Sequence, residues 1–284
     1  MIRFATNNDI DGIISLWQEA FGETRNEIKF FLENKFKPKN TLIFDESGEI
    51  ASMLFLLEGE MCIKDTDYQA YYLYAACTAK KYRGRGFMSA LLNAAKKAAS
   101  DRNIRFISLL PAEDSLYNYY ANFGYLPAFS KKVLTVKRCE MTDEIKLNFE
   151  PVSAASLENI RENSFKDIDR FKWDNDAVNF AFKHTKMYGG IGFVSRKGYA
   201  LYGVIDSKLY VKECAFTHEN LTDIIAFLFD NHKVDEIEFS LPYNFECNLG
   251  KTVTKRNGMV LPVDSEAQNI IRGVKDAYLG LALD

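Results

Sequence analysis

Two glycines, Gly84 and Gly86, separate a β-prone run from an amphipathic helix, and this segment limits what the 284-residue chain can fold into more tightly than any other. Upstream, Tyr71-Tyr72-Leu73-Tyr74-Ala75-Ala76-Cys77-Thr78 reads as an apolar strand. Downstream, Met88, Leu91, Leu92, Ala95 and Ala99 recur at helical spacing to about residue 100. A glycine turn between strand and helix leaves the first helical amides unpaired and aimed at one point, and it lets backbone approach a ligand closely. Between Lys80 and Arg105 stand eight basic residues and one acid, Asp101, in a chain of net charge −3. Some of these belong to the solvated face of the helix, but Arg83 and Arg85 lie in the turn itself. The combination suits a pyrophosphate.

The rest of the first half is an alternation of strands and helices. Strands are expected at 2–6, 41–45, 49–57, 68–78, 104–110 and 125–137, and helices at 8–20, 24–36, 84–100 and 113–122. Antiparallel strands leading to a phosphate-binding helix and a further strand indicate an α/β fold with a mixed sheet and helices on both faces. The second half repeats this order more faintly. Strands are expected at 191–195, 199–205 and 208–216, then a helix at 219–230. Glu238-Phe239-Ser240-Leu241-Pro242 echoes Phe106-Ile107-Ser108-Leu109-Leu110-Pro111, and Asn257-Gly258-Met259-Val260-Leu261-Pro262 echoes Phe123-Gly124-Tyr125-Leu126-Pro127. The pattern describes two tandem copies of one fold, 1–140 and 141–284, joined near 138–146. Where the second copy would have its cradle, it carries Thr217-His218-Glu219-Asn220-Leu221-Thr222, with no glycine or arginine and a carboxylate that repels phosphate. Its expected role is support and shaping of an acceptor pocket, with Phe171 and Trp173 as candidate lining.

The turn resembles the acyl-CoA-binding loop of the GNAT superfamily of N-acyltransferases, Q/R-x-x-G-x-G/A, with Lys81, Gly84 and Gly86 at its key places. Lys81 departs from the usual Gln or Arg while keeping donors and positive charge. Ser115-Leu116-Tyr117-Asn118-Tyr119-Tyr120-Ala121-Asn122-Phe123-Gly124-Tyr125 is similar to the family's second signature, a helix ending in Tyr-x-x-x-Gly-aromatic. Ile2-Arg3-Phe4-Ala5-Thr6 followed by Asp9 also matches how such domains begin. The resemblance implies a GNAT fold in tandem and transfer of an acetyl group from acetyl-CoA to a primary amine of a small molecule or peptide. It implies that Lys81, Arg83, Gly84, Arg85, Gly86, Phe87 and Met88 hold the donor, while Cys77 and Thr78 contact its pantetheine and acyl carbonyl through main chain. Tyr120, four residues before Gly124, matches the tyrosine that protonates the departing thiolate, with Tyr117 as its neighbouring rival.

The general base stays open. The strand 68–78 holds no acid, which leaves Glu58 and Glu60 on the preceding hairpin, and Glu213 in the second half. In some tandem members the terminal carboxylate serves, which makes Asp284 a candidate. Two rivals share the fold: a non-catalytic acyl-CoA-binding module, and an aminoacyl-tRNA-dependent transferase. The acidic total charge argues against nucleic acid, and no run of membrane-spanning length is present. Five cysteines (62, 77, 139, 214 and 247) form no C-x-x-C pair, so neither a disulfide framework nor a metal site is expected, and a cytoplasmic setting is.

Overall fold

The computed structural model describes residues 1–140, 157–187, 190–195, 198–216, 221–246 and 248–282. The chain forms two compact units, and they are not contiguous in sequence: one comprises 1–61, 67–127 and 259–272, the other 62–66, 128–258 and 273–284.

In the first unit the elements are β1 (Ile2–Phe4), α1 (Ile10–Phe21), α2 (Arg25–Lys35), β2 (Thr41–Glu46), β3 (Glu49–Ile63), β4 (Thr66–Thr78), α3 (Phe87–Asp101), β5 (Phe106–Leu109), α4 (Asp114–Ala121) and β6 (Leu126–Pro127). The second contributes β7 (Ser130–Lys137), α5 (Leu157–Phe165), β8 (Arg170–Lys172), α6 (Asn175–Met187), β9 (Ile191–Ser195), β10 (Gly198–Ile205), β11 (Lys208–Phe216), α7 (Leu221–Asn231), β12 (Glu236–Pro242) and β13 (Lys251–Arg256). The chain then supplies β14 (Met259–Pro262) and α8 (Ser265–Ile271) to the first unit. The strands expected at 191–195, 199–205 and 208–216 form within a residue of their expected bounds, whereas in the first half the strand expected at 49–57 runs on to Ile63 and the one expected at 125–137 divides into β6 and β7.

The first sheet runs β1-β2-β3-β4-β5-β14-β6 and the second β13-β7-β12-β11-β10-β9. In each, one strand pair is parallel: β4 with β5, and β11 with β12. The other edge of β5 pairs antiparallel with β14, Met259 opposite Leu109 and Pro262 opposite Phe106. The other edge of β12 pairs antiparallel with β7, Glu236 opposite Lys137 and Pro242 opposite Lys131. Each half of the chain therefore passes a strand to the unit built mainly by the other half. A cut near residue 140 divides the chain differently, leaving β7 with the first part and β14 with the second. The echo of 123–127 in 257–262 is real at the level of strands, but β6 and β14 lie side by side in one sheet, Met259 opposite Pro127.

Burial drives both exchanges. Met259 and Leu261 join Leu91, Leu92, Ala95, Ile107 and Leu109 in the core between the first sheet and α3. Leu134 and Val136 join Leu209, Val211, Ile224, Leu228 and Phe239 in the core of the second unit, against α7. At about 25 cal/mol per Å² of apolar surface, leaving either strand unpaired would cost several kcal/mol, apart from its lost ladder. The C-terminal segment is apolar for the same reason: Ala277, Tyr278 and Leu279 are buried within the second unit, Ala277 bridging Phe129 and Tyr278 bridging Arg170. Phe171 and Trp173 belong to that interior too. The Trp173 indole donates to the Leu279 carbonyl at 2.8 Å, so both are core rather than pocket lining.

The returning segment is fastened to the first unit by Asp264. Its carboxylate accepts the Ala267 amide at 2.8 Å, capping α8, and the Arg105 guanidinium at 2.6 Å. These bonds hold Asp264 below the usual carboxylate range, the Ala267 N–H foremost. Asp264→Ala is expected to cost about 1 kcal/mol of stability at neutral pH. A folded pKa lowered in this way contributes stability above the ordinary carboxylate range and loses it as pH falls through the lowered value. The gap in Tm between the two proteins, followed by calorimetry, should therefore narrow on acidification.

Candidate active site

Beyond Thr78 the chain makes a 3-10 turn, Lys80–Tyr82, and reaches α3 through Gly84 and Gly86, whose φ angles are 77° and 78°. A Cβ on either glycine would meet no atom within 4 Å. The left-handed backbone, rather than crowding, is what demands glycine there, and the space above the turn is open. The first intrahelical bond runs from Ala90 N to Gly86 O at 3.0 Å. The amides of Phe87, Met88 and Ser89 therefore point out of the helix end with no helical acceptor, in the positive field of the macrodipole.

The turn is pinned from several sides. Ala79 N donates to Ala51 O at 2.9 Å, and Lys80 N donates to the carboxylate of Glu19 on α1 at 2.6 Å. The basic side chains fold back onto β2, β3 and the end of β4. Lys81 meets Glu49 at 2.6 Å, Arg85 meets Glu46 at 2.8 Å, and Arg83 Nε donates to the Thr78 carbonyl at 3.2 Å. Glu49 lies below its ordinary range chiefly through Lys81, and then through the Tyr82 hydroxyl at 3.0 Å. Arg85 also lies over the Phe87 ring at 4.8 Å, and Phe87 stacks on Phe44 with centroids 3.9 Å apart. Exposed pairs of this kind contribute at most about 1 kcal/mol each, so an arriving polyanion can exchange them for its own oxygens.

Beside the turn the sheet opens. β4 and β5 are in register at Ala70/Phe106, Tyr71/Ile107 and Tyr72/Ser108, and the ladder stops there. Three residues further on, Ala75 has φ 48°, a left-handed conformation in a non-glycine residue. The burial pattern changes phase at this point. Tyr71, Leu73 and then Ala76 pack with α3, whereas Tyr74 packs on Trp17 (5.8 Å) and Phe31 (5.1 Å) of α1 and α2. One extra residue has been inserted, as in a β-bulge, and Cys77 moves onto the α1 side. There burial pushes its thiol well above the ordinary range, and the Glu19 charge adds to the effect. A thiol held protonated in this way makes a poor nucleophile.

Of the two residues expected to act through main chain, Cys77 gives its carbonyl to the Ser52 hydroxyl at 2.8 Å, and Thr78 gives its carbonyl to Arg83. The Thr78 hydroxyl also meets Ser52 at 2.9 Å. The residue missed in the sequence is Ala75. Its signal was the switch of apolar phase between Leu73 and Ala76, hidden because every residue from 70 to 77 is apolar or aromatic.

Tyr120 lies on α4 in the same core cluster as Tyr71, Leu73, Tyr117 and the half-buried Met88 and Ala76. Its ring stands edge-on to Tyr119 (5.4 Å) and Tyr125 (5.6 Å). Burial first, then Tyr119, pushes its phenol up to about 12, so it carries its proton throughout the neutral range. The acids proposed as base fare differently. Burial acts to raise Glu58, but Lys37 and Asn40 outweigh it and hold the group below its ordinary range. Glu60 accepts from Gln69 at 2.7 Å. Asp284, with His218 and Glu219 of the second-half turn, lies outside the described residues.

Glu213 occupies an instructive place. The β11–β12 ladder runs from Lys208/Glu236 to Val211/Phe239 and stops, with a register shift in the β10–β11 pair at the same level. Glu213 lies two residues beyond the end of that ladder. Its carboxylate is wholly buried, bonded to Arg161 Nε at 3.1 Å and to the Tyr199 hydroxyl. Gly280 packs so closely on this pair that a Cβ there would collide with both Glu213 and Arg161. Glu213 is committed to structure.

Among the described residues no group of three or more His, Cys, Asp or Glu is placed to hold a metal ion, and no helix is long and apolar enough to cross a membrane. Gly84→Ala and Gly86→Ala should each cost about 1–2 kcal/mol through the left-handed backbone alone. Thermal denaturation checks this, since the open space above the turn adds no steric penalty.

Residues 1–128 match the family described as Acetyltransferase (GNAT) domain. No curated protein matches the chain in sequence. Among solved structures, a probable N-acyltransferase of unknown function from Enterococcus faecalis superposes with TM-score 0.76 at 12% identity, over 94% of this chain and 73% of that one. A GCN5-related N-acetyltransferase from Anabaena variabilis gives TM-score 0.76 at 14% identity, over 93% and 73%. One from Kribbella flavida gives 0.71 at 13%, over 94% and 73%. At such identities these likenesses speak for the fold, a mixed α/β GNAT arrangement. The glycine turn and the end of the β4–β5 ladder both lie within residues 1–128, the segment that matches the GNAT acetyltransferase-domain family.

Proposed function

We propose that this protein moves an acetyl group from acetyl-CoA to a primary amine of a small molecule or peptide by direct attack. The observation that carries the reading is the glycine turn at the N-terminus of α3, set beside a parallel strand pair whose ladder has ended. The turn fits a pyrophosphate on its own geometry: two left-handed glycines with open space above them, and three helix-end amides without helical acceptors. In this reading the amides from Gly84 to Met88 take the phosphate oxygens, while Lys81, Arg83 and Arg85 exchange their present partners for them. Main chain of β4 about Ala75, past the end of the β4–β5 ladder, with Cys77 and Thr78 beyond it, takes the pantetheine and orients the acyl carbonyl. Acetyl-CoA supplies the activated thioester. The protein's own contribution is to hold the carbonyl and amine in line, and to move protons.

Tyr120 serves as the acid. A buried phenol that stays protonated at neutral pH can give its proton to a departing thiolate, which otherwise leaves poorly. The high thiol of Cys77 favours direct attack over an acyl-cysteine route. The second unit, in this reading, is a GNAT-like partner that binds no nucleotide. This reading places the reaction in the cytoplasm.

Calorimetry with acetyl-CoA tests the donor. The expected result is one site in the wild type, and at least a tenfold weaker one in Arg83→Glu/Arg85→Glu with its Tm checked in parallel; no heat from the wild type would end the acetyl-CoA reading. Tyr120→Phe should keep the acetyl-CoA affinity and lower kcat by roughly 10²-fold. Unchanged kcat would pass the acid role to another group, with Tyr117 the next to substitute.

A further inference from the structure

Two of the cradle's basic residues already have anionic company, and it comes from a single hairpin. β2 and β3 are joined by a two-residue turn, Ser47-Gly48, with φ angles of 57° and 88°. Successive left-handed residues of this kind match the twist of a hairpin, and Gly48 N donates to the Asp45 carboxylate at 2.8 Å. The last pair of the ladder before the turn is Glu46 opposite Glu49. Residues directly opposite in an antiparallel pair put their side chains on one face of the sheet, where like charges destabilise. The hairpin therefore ends in two neighbouring carboxylates, an arrangement it would not favour by itself.

The glycine turn supplies the missing cations. Arg85 donates to the Glu46 carboxylate at 2.8 Å, and Lys81 to that of Glu49 at 2.6 Å, with the Tyr82 hydroxyl adding a bond to Glu49 at 3.0 Å. Phe44, two residues before Glu46, stacks on Phe87 at the start of α3, which fixes the hairpin end beside the turn. Arg83 differs from its neighbours, since its bond is to the neutral Thr78 carbonyl. Glu46 and Glu49 together bring the same two negative charges as a pyrophosphate diester, and they meet the lysine and arginine of the turn that suits one.

Resting on the acetyltransferase reading above, we infer that Glu46 and Glu49 are a resident counter-anion of the donor site, competing with the pyrophosphate for Lys81 and Arg85. They set how tightly the donor, and the CoA product after it, is held. Arg83, whose partner is neutral, meets an arriving phosphate first. Lys81 and Arg85 follow, each exchanging a carboxylate for a phosphate oxygen. Loss of the acetyl group leaves the pyrophosphate unchanged, so the product would be gripped as firmly as the donor. The carboxylates reclaim their cations and favour its release. Lys81 is 60% exposed and Glu49 50%, so solvent screens the pair and exchange costs little in either direction.

In the rival role the carboxylates only hold Lys81 and Arg85 in the pose that phosphate needs, and their loss weakens binding. The two roles predict opposite signs. Glu46→Gln/Glu49→Gln separates them, because the amide oxygens keep the hydrogen bonds while the charge goes. Asp101→Asn, at the far end of α3 and paired there with Lys97, controls for the change in net charge. Acetyl-CoA and CoA are titrated by calorimetry into wild type and both variants, with Tm checked in parallel, and inorganic pyrophosphate is read by its displacement of acetyl-CoA. The expected result is roughly fivefold tighter binding of all three by the double variant, with Asp101→Asn within about twofold of wild type. Unchanged or weaker binding in the double variant, an equal gain in Asp101→Asn, or a gain for acetyl-CoA without one for pyrophosphate overturns the inference. A wild type that binds no acetyl-CoA removes the underlying reading instead.

Discussion

The site depends on a ladder that stops. A strand inside a sheet has its amides and carbonyls paired on both sides, and buried backbone polar groups are expensive to leave alone. β4 abandons β5 after Tyr72, and Ala75 turns through a left-handed conformation that an alanine adopts only when its neighbours compel it. The compulsion is visible. Ser52 grips Cys77 and Thr78, Ala51 takes the Ala79 amide, and Glu19 takes the Lys80 amide. Tyr74 and Cys77 thereby turn toward α1 and α2, and Ala76 turns toward α3.

In the second unit a side chain is buried just past the end of the parallel ladder. Glu213 lies two residues beyond the last β11–β12 pair, its carboxylate paired with Arg161 and hydrogen-bonded by the Tyr199 hydroxyl, with Gly280 laid against them. Burying an ion pair brings little net stability, yet breaking one costs about 3–5 kcal/mol because the remaining charge has no solvent. Arg161 and Glu213 are thus held together by mutual need, and the C-terminal segment is sealed over them.

Much of this was legible in the residues. The glycine turn, the amphipathic α3 and the Tyr120-to-Gly124 spacing are local patterns, and local patterns fix local structure. The three strands of the second unit appear for the same reason, because each is bounded by turn residues. Strand pairing is a different matter. Nothing within Ser130–Lys137 itself names β12 as its partner, and the choice is made by a core whose residues lie roughly 65 to 110 positions further along the chain. The bulge at Ala75 was concealed by a run so uniformly apolar that a change of phase left little mark. The part Glu19 plays in pinning the turn was not legible, because it sits near the end of α1 and only folding brings it to Lys80. The basic residues of the turn read as free cations, whereas the fold gives them acidic partners from β2 and β3.

The exchange of strands also sets an order of events during synthesis. When residues 1–127 have left the ribosome, β5 has β4 on one side and a bare edge on the other, and its partner is still more than 130 residues away. An open edge of apolar strand is a template for the wrong partner. The nascent first unit must therefore wait, exposed, until residues 259–262 emerge, while β7 waits for β12 in turn. Neither unit can reach its final pairing before residues 236–242 and 259–262 have been made. Slow translation or a premature stop should be felt as aggregation rather than as the release of a working half-protein.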